Sequence, residues 1–381
     1  MSPDVLVIGA GIIGGACAYS LAAAGLSVVV ADRAAVASGT TGAGEGNILV
    51  SDKMPGPELD LQLRSTKLWR QYAEDLAGKT FELEAKGGIA VAMSLGQQEA
   101  LAELSRKQAA AGVDVHKVAA GDLLKLEPHL VPDVVAGRLY PQDMQVQPML
   151  AAAQLLAAAR RHGARLRLAT EVLGATVASS RVTGVVTTQG RISAGWVVNA
   201  AGPWAQALSQ RLGAPVPVSP RRGFILVTEP LPPIIRHKVY SASYVATVAS
   251  SSAALQTSTV VEGTHSGPVL IGASRERVGY NSTLSVPVLR QLARGATQLF
   301  PVLAQVRVIR AYAGFRPYSP DHLPVIGVDP RIDGVVHACG HEGGGIGLAP
   351  ATGEMVAELL TGGQTHVSAE PFSPARFAGG G

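Results

Sequence analysis

The opening of the chain alternates between two short apolar runs and a helical pattern. Val5-Leu6-Val7-Ile8 reads as a buried strand bounded by Gly9, residues 12–24 are Ala-rich and helical, and 27–31 form a second apolar strand. No charged residue lies between Val5 and Ala31, a run long enough to span a bilayer. Five glycines interrupt that run, no basic stretch precedes it and its periodicity changes inside it. The expectation is therefore a buried strand–helix–strand unit, neither a transmembrane span nor a secretory leader.

Further along, leucines and aromatics from Leu59 to Leu76, with Pro55 and Pro57 ahead of them, predict a helix over 59–77. Residues 81–93 read as strands, 97–112 as a helix ended by Gly112, and 150–162 as a helix stopped by Gly163. Short strands follow at 165–168, 174–178, 182–187 and 196–199. The stretch 223–310 reads as short strands with one helix near 287–299, then a strand at 335–338 and a helix at 345–360. Residues 373–381 look like a loose tail. Strand–helix–strand units at both ends, with antiparallel-looking strands between, predict α/β plus α+β architecture: a Rossmann-like domain with an inserted antiparallel-sheet domain.

Composition narrows the class. With 381 residues the chain has room for two or three domains, and 47% hydrophobic against 16% charged residues excludes a disordered protein. Aromatics at 4% leave the core to Ala, Val, Leu and Ile. The net charge of +4 comes without any Lys/Arg cluster interleaved with aromatics, so nucleic acid is not an expected partner. Cys17 and Cys339 are too few for a disulfide framework, a Cys-based zinc site or an iron–sulfur cluster, and a reducing compartment, the cytoplasm, is expected. Nine histidines are scattered without a metal-binding motif, so no metal site is expected.

Chemistry enters with Gly9-Ala10-Gly11-Ile12-Ile13-Gly14, which follows a strand and opens a helix. The first glycine permits the turn, the second lets backbone approach a pyrophosphate and the third allows close helix–strand packing. Asp32, at the end of the second strand, stands where a carboxylate accepts from ribose hydroxyls. A second loop rich in Gly and Thr runs from Ser38 to Asn47. It can wrap a further part of a long cofactor, which a minimal nicotinamide site does not need.

Five motifs in this order resemble the D-amino-acid oxidase superfamily of FAD amine oxidoreductases, which includes glycine oxidase and sarcosine oxidase. They are the opening fingerprint, the Thr40-Thr41 loop, the run Asn199 to Trp204, the run Phe315 to Asp321, and the glycine-rich run Gly340 to Gly353. Within it, the run from Gly44 to Lys53 and the Gly340-His341-Glu342-Gly343-Gly344-Gly345 loop look most like the β subunits of two kinds of heteromeric enzyme. These are the dehydrogenases that act on D-hydroxyproline and opines, and hydrogen cyanide synthase.

The resemblance implies an FAD-binding domain over 1–86, 141–218 and 308–372, a substrate domain over 87–140 and 219–307, and a flexible tail over 373–381. It implies cofactor contacts from Gly9, Gly11, Ile12, Ile13, Gly14, Asp32, Arg33, Thr40, Thr41, Glu45, Gly46 and Asn47. Further contacts would come from Val172, Ala201, Gly202, Trp204, Gly340, His341, Gly344, Gly345, Ile346 and Gly347. FAD would be noncovalent, since the family's covalent-flavin cysteine falls at about Gly314. Hydride would pass from an amine-bearing carbon to flavin N5.

Arg316 matches the family arginine that forks onto the amino acid's carboxylate, a surface arginine beside Pro317 being the plainer alternative. Glycine oxidases carry a further arginine where Gly343 stands here, which implies a bulkier substrate: D-hydroxyproline, an opine or a similar secondary amine. Tyr244 could cover the site or pack in a core. His341, Glu342 and Asn47 fall in the same region, and Glu342 could hold a substrate ammonium or cap a helix.

Implied partners are an α subunit and a small ferredoxin-like γ subunit carrying a [2Fe–2S] cluster, with FMN at a subunit interface and contact with the inner membrane through an electron acceptor. The last lysine is Lys238, so the lysine with which sarcosine-oxidase relatives promote reaction with oxygen is missing from the later region. A stand-alone oxidase making hydrogen peroxide and a non-catalytic FAD-binding relay subunit are the alternatives.

Overall fold

The computed structural model describes residues 2–248 and 250–378. The strand Val5–Ile8 is paired in parallel with Val28–Ala31 on one side and Trp196–Asn199 on the other. Arg165–Arg167, Val335–Cys339 and an antiparallel edge strand, Val325–Val328, complete a six-stranded sheet. Its central strands are buried along their whole length. That is why they read as continuous Val/Ile/Leu runs rather than alternating ones. Helices Ile12–Ala23 and Gly345–Thr361 share one face, burying Cys17, Leu21, Leu348, Ala351 and Met355. Leu6, Val29 and Val197 on the other face meet an antiparallel meander through Val182 and Val185.

A second, eight-stranded sheet holds the inserted segments. Across it run Val308–Tyr318, Ser219–Pro230, Pro268–Arg275, Gln256–Gly263, Lys238–Ser241, Gly88–Ala92, Ala136–Tyr140 and His116–Ala119. One face is covered by helix Val286–Leu299, whose Val288, Leu292, Ala296 and Leu299 recur at helical spacing and are buried against Phe224, Leu226 and Ile271. Residues of the opposite face of the long strands, Gly223, Ile225, Gly314 and Arg316, border a large cavity next to the first domain.

The structure departs from the sequence expectation at several places. The 308–318 strand pairs with 219–230 and so belongs to the eight-stranded sheet, not to the nucleotide-binding side that 308 was expected to open. Ser243–Val248 is a helix inside a stretch that read as strands, because Val245, Thr247 and Val248 carry β propensity and six residues are too few for a helical period to show. Within 81–93 only Gly88–Ala92 is a strand. The strands His116–Ala119 and Ala136–Tyr140 drew no prediction, being short and flanked by charges. Residues 373–378 are not loose: Phe372 is buried, Pro374–Phe377 form a 3-10 turn and Arg376 pairs with Asp321 at 2.6 Å. Residues 379–381 lie outside the described residues.

The two helices on the first sheet meet backbone to backbone. A Cβ at Gly353 would lie 2.5 Å from the Ala16 carbonyl oxygen, which has no room to retreat inside a helix. Gly353→Ala is therefore expected to cost about 1–3 kcal/mol by overpacking, read as a lower urea midpoint. An unchanged midpoint would mean that the helices part freely.

Candidate active site

The cavity between the sheets has a volume of about 530 Å³ and begins at the glycine fingerprint. Gly9 has φ +121°, and a Cβ there would strike the Ala200 carbonyl; one at Gly14 would strike the Gly9 carbonyl. Helix 12–23 starts without a side-chain cap and without an acid in its first turn. Its N-terminal end is thus open to a phosphate. Thr41 Oγ1 accepts from the Ile12 N–H at 3.0 Å, which ties the second loop to the start of the helix. The Asp32 carboxylate accepts from the Ala10 and Ala34 N–H groups at 2.7 and 2.8 Å, fixing it beside the cavity. Arg33 lies over Trp204 at 4.2 Å, and Trp204 stacks on Tyr280 at 5.9 Å.

At the other end of the cavity the loop after Cys339 leads into helix 345–361, again without a capping side chain or an acid in its first turn. Two uncapped helix N-termini and a carboxylate fixed at a strand end thus border one elongated space. That donor set fits FAD, with one helix end for the pyrophosphate and the other for the electron-rich edge of the flavin.

A second cavity of about 230 Å³ adjoins the first, and Tyr244, Arg316, Glu342 and Gly343 border both. Arg316 Nη1 donates to the Ser274 carbonyl at 2.9 Å. A Cβ at Gly223 would collide with the Arg316 guanidinium, so the bare backbone at 223 is what gives that guanidinium its place. Burial, and then neighbouring Arg275, draw the Arg316 pKa down to about 10. Tyr244 is buried, its ring 5.3 Å from that of Tyr240.

The family model of FAD dependent oxidoreductases (DAO) matches residues 4–359. The chain belongs to this family. Glycine oxidase of Geobacillus kaustophilus is 30% identical to it over 99% of this chain and 97% of that one. The hydrogen cyanide synthase subunit HcnC of Pseudomonas aeruginosa is 28% identical over 98% and 96% of the two chains. Among solved structures, L-proline dehydrogenase from P. horikoshii superimposes with a TM-score of 0.90 at 27% identity, covering 99% of this chain and 98% of that one.

Most residues expected to contact FAD do line the first cavity of this family member: Gly9, Gly11, Ile12, Ile13, Asp32, Arg33, Thr40, Thr41, Glu45, Asn47, Val172, Ala201, Gly202, Trp204, His341, Gly345 and Ile346. Gly14, Gly46, Gly340 and Gly347 do not. Gly14 and Gly46 press against backbone carbonyls of Gly9 and Val146. Gly340, at φ +75°, makes the turn before the loop, and Gly347 faces Gln62 of the 57–75 helix. Gly344 borders the second cavity instead.

Among the substrate candidates, Arg316 and Tyr244 stand at the junction, but Glu342 is not open to an ammonium. One of its carboxylate oxygens is bonded to Arg221 and the other to His322 at 3.1 Å. Burial alone would raise its pKa, yet these partners outweigh burial and hold the carboxyl below its usual range. Asn47 is likewise engaged, donating to Glu45 at 2.9 Å and accepting from Lys238.

Sequence reasoning missed Lys53, which is buried at the second cavity with Asp52 at 3.0 Å and Glu58 at 3.4 Å. Both partners stand close to it in the chain, so the signal that could have found it was the local charge cluster Asp52, Lys53 and Glu58. Lys238, dismissed as lying before the catalytic region, sits buried beside Glu45 and Glu262.

Two expectations follow for the cofactor cavity. A Cβ at Gly11 would lie 3.1 Å from Thr41 Oγ1, so Gly11→Val pushes Thr41 off Ile12 and fills the phosphate's approach. The purified variant is expected to lose its FAD, read as flavin absorbance per protein; full FAD content would reject that placement. His341 is buried with Nε2 3.0 Å from Thr352 Oγ1, and burial takes its pKa from 6.5 down to about 3. The unfolded chain takes up this proton and the folded one does not. The contribution to stability is complete above the unfolded pKa and is lost as pH falls, by about 1.4 kcal/mol per unit. His341→Gln is expected to flatten the fall in unfolding free energy between about pH 6 and 4 by that slope.

Proposed function

We propose that the chain oxidises the C–N bond of an amino or imino acid whose carboxylate is held by Arg316. The observation that carries this reading is a guanidinium at the junction of the two cavities that has no carboxylate partner among the described residues. A buried cation without a counter-ion is costly, and a planar guanidinium pairs with a carboxylate through two parallel hydrogen bonds. FAD held in the first cavity would supply a hydride acceptor, flavin N5, for the carbon bearing the amine, and the resulting imine would hydrolyse in water. Arg316 fixes the orientation of that carbon, and Tyr244 closes the space above it. The N-terminus of helix 345–361 offers about half a positive charge to negative charge developing beside it. His341, neutral by burial, adds no competing charge. Asp52 and Glu58 share Lys53 and Glu342 is bonded to Arg221, so no carboxylate of the second cavity is without a cationic neighbour; the amine enters as its free base and no protein base is needed.

The finer reading is a catalytic β subunit of a cytoplasmic heteromeric dehydrogenase acting on D-hydroxyproline, an opine or a similar secondary amine. Full-length likeness to a protein named as a synthase subunit supports it, and so does the room left at Gly343, where a Cβ would lie 3.7 Å from Arg316. Cys17 and Cys339 are buried and unbridged, which leaves a [2Fe–2S] cluster to a ferredoxin-like γ subunit beside an α subunit, with FMN at an interface. Lys53 at the second cavity favours a second reading, a stand-alone oxidase, because a cation there would assist reaction with oxygen. Its pairing with Asp52 and Glu58 offsets that charge and keeps the dehydrogenase reading first. A relay subunit would need neither Arg316 nor a second cavity.

The test is anaerobic addition of amino and imino acids to the purified flavoprotein, followed by air. A carboxylate amine is expected to bleach the flavin. Arg316→Ala is expected to lower kcat/KM by about 2–4 kcal/mol with FAD content unchanged. Slow reoxidation in air supports the dehydrogenase reading, and peroxide formed at the turnover rate assigns the oxidase. Failure of every carboxylate amine to bleach the flavin rejects both.

A further inference from the structure

The second cavity holds a cation that carboxylate binding at Arg316 leaves unused. Arg275 ends the 268–275 strand, is 3% exposed and borders the second cavity beside Arg316. Its Nε has no hydrogen-bond partner, and no carboxylate pairs with it among the described residues. Its guanidinium carbon lies 5.5 Å from the Tyr244 ring.

The contrast with neighbouring arginines is specific. Arg222 is bonded to Glu276 at 2.8 Å, and Arg221 to Glu342. Of these four arginines on neighbouring strands, the two that border the second cavity are the two without a protein carboxylate. Strand pairing also brings them to one wall. Arg316 reaches across Gly223 of the intervening strand to the carbonyl of Ser274, the residue before Arg275. None of the carboxylates nearby is spent on Arg275 or Arg316: Asp52 and Glu58 share Lys53, and Glu342 is bonded to Arg221 and His322. Two like charges side by side in a buried space favour a ligand that brings two negative charges.

We propose that Arg275 and Arg316 together hold the two carboxylates of one substrate, a secondary amine whose nitrogen joins two carboxylate-bearing carbons. This rests on amine oxidation at the second cavity and selects, among its possible substrates, the N-carboxyalkyl amino acids over cyclic imino acids or glycine. A substrate with one carboxylate leaves one guanidinium buried and unpaired. A dicarboxylate pairs both and places the central C–N bond between them, at the mouth of the cofactor cavity.

The probes are diglycolate, an ether with two carboxylates that cannot be oxidised as an amine, and methoxyacetate, its counterpart with one. Titrated calorimetrically into the FAD-loaded protein, diglycolate is expected to bind at least about 30-fold more tightly. Arg275→Gln is expected to remove most of that preference and Arg275→Lys to keep part of it. The kcat/KM ratio of iminodiacetate to N-methylglycine is expected to follow the same order. Equal binding of the two ethers overturns the proposal, as does an equal loss for both in Arg275→Gln, which would make Arg275 a packing residue. If no amine of either kind bleaches the flavin, amine oxidation fails. If N-methylglycine or proline bleaches it while diglycolate binds no more tightly than methoxyacetate, amine oxidation stands and the two-carboxylate site fails.

Discussion

Close contact between helices 12–23 and 345–361 sets the geometry on which the rest depends. Gly353 lets the second helix press its backbone onto the carbonyl of Ala16, and the small side chains Ala18, Ala22, Ala351 and Ala357 pack around that contact. Both helices rise from the same face of the six-stranded sheet. Their N-terminal ends therefore border one cavity, with a spacing set by backbone contact rather than by flexible side chains. Two partial positive charges are fixed in this way at the border of one cavity. No side chain has to move to supply them.

The second domain works by the opposite logic, with full charges on long side chains. Buried cations abound along this wall, and most are matched: Lys53 with Asp52 and Glu58, Lys238 with Glu45 and Glu262, Arg221 with Glu342, Arg222 with Glu276. Such pairs contribute little net stability against an apolar alternative, but they hold their groups in place and leave none of these cations without an anion. Against this matched background an unmatched guanidinium carries information. The same strand register that aligns Arg221 with Arg316 also lets Gly223 open the path to Ser274.

What could be read in the sequence was what is local. The fingerprint, the strand–helix–strand unit and the helices 57–75 and 345–361 depend on residues within one or two turns of each other, and their spacing survives in the linear order. Most of the cofactor cavity was legible for the same reason: its glycines, Asp32, Thr40 and Thr41 sit in two adjacent loops. The surroundings of the second cavity were not. They draw on residues near 53, 223, 244, 275, 316 and 342, from separate segments, and whether an acid there is open or already paired depends on a residue about 120 positions away, as with Glu342 and Arg221. Glu342 was left between a substrate contact and a helix cap because its partner Arg221 could not be seen. The 308–318 strand was misplaced because sheet membership is fixed by a partner strand some ninety residues earlier.

The stack at the nucleotide end ties the two domains together. Tyr280 comes from the segment between the 268–275 strand of the eight-stranded sheet and its covering helix 286–299. Its ring lies flat on Trp204, its hydroxyl donates to the Pro203 carbonyl at 2.6 Å, and Arg33 covers the other side of the indole. Pro203, Trp204 and Arg33 border the cofactor cavity. A dinucleotide seated in that cavity would lie beside a clasp that belongs to both domains. Its exchange with bulk solvent is then governed by how often the clasp opens, not by the strength of its contacts alone, so the cofactor would behave kinetically as a permanent part of the molecule.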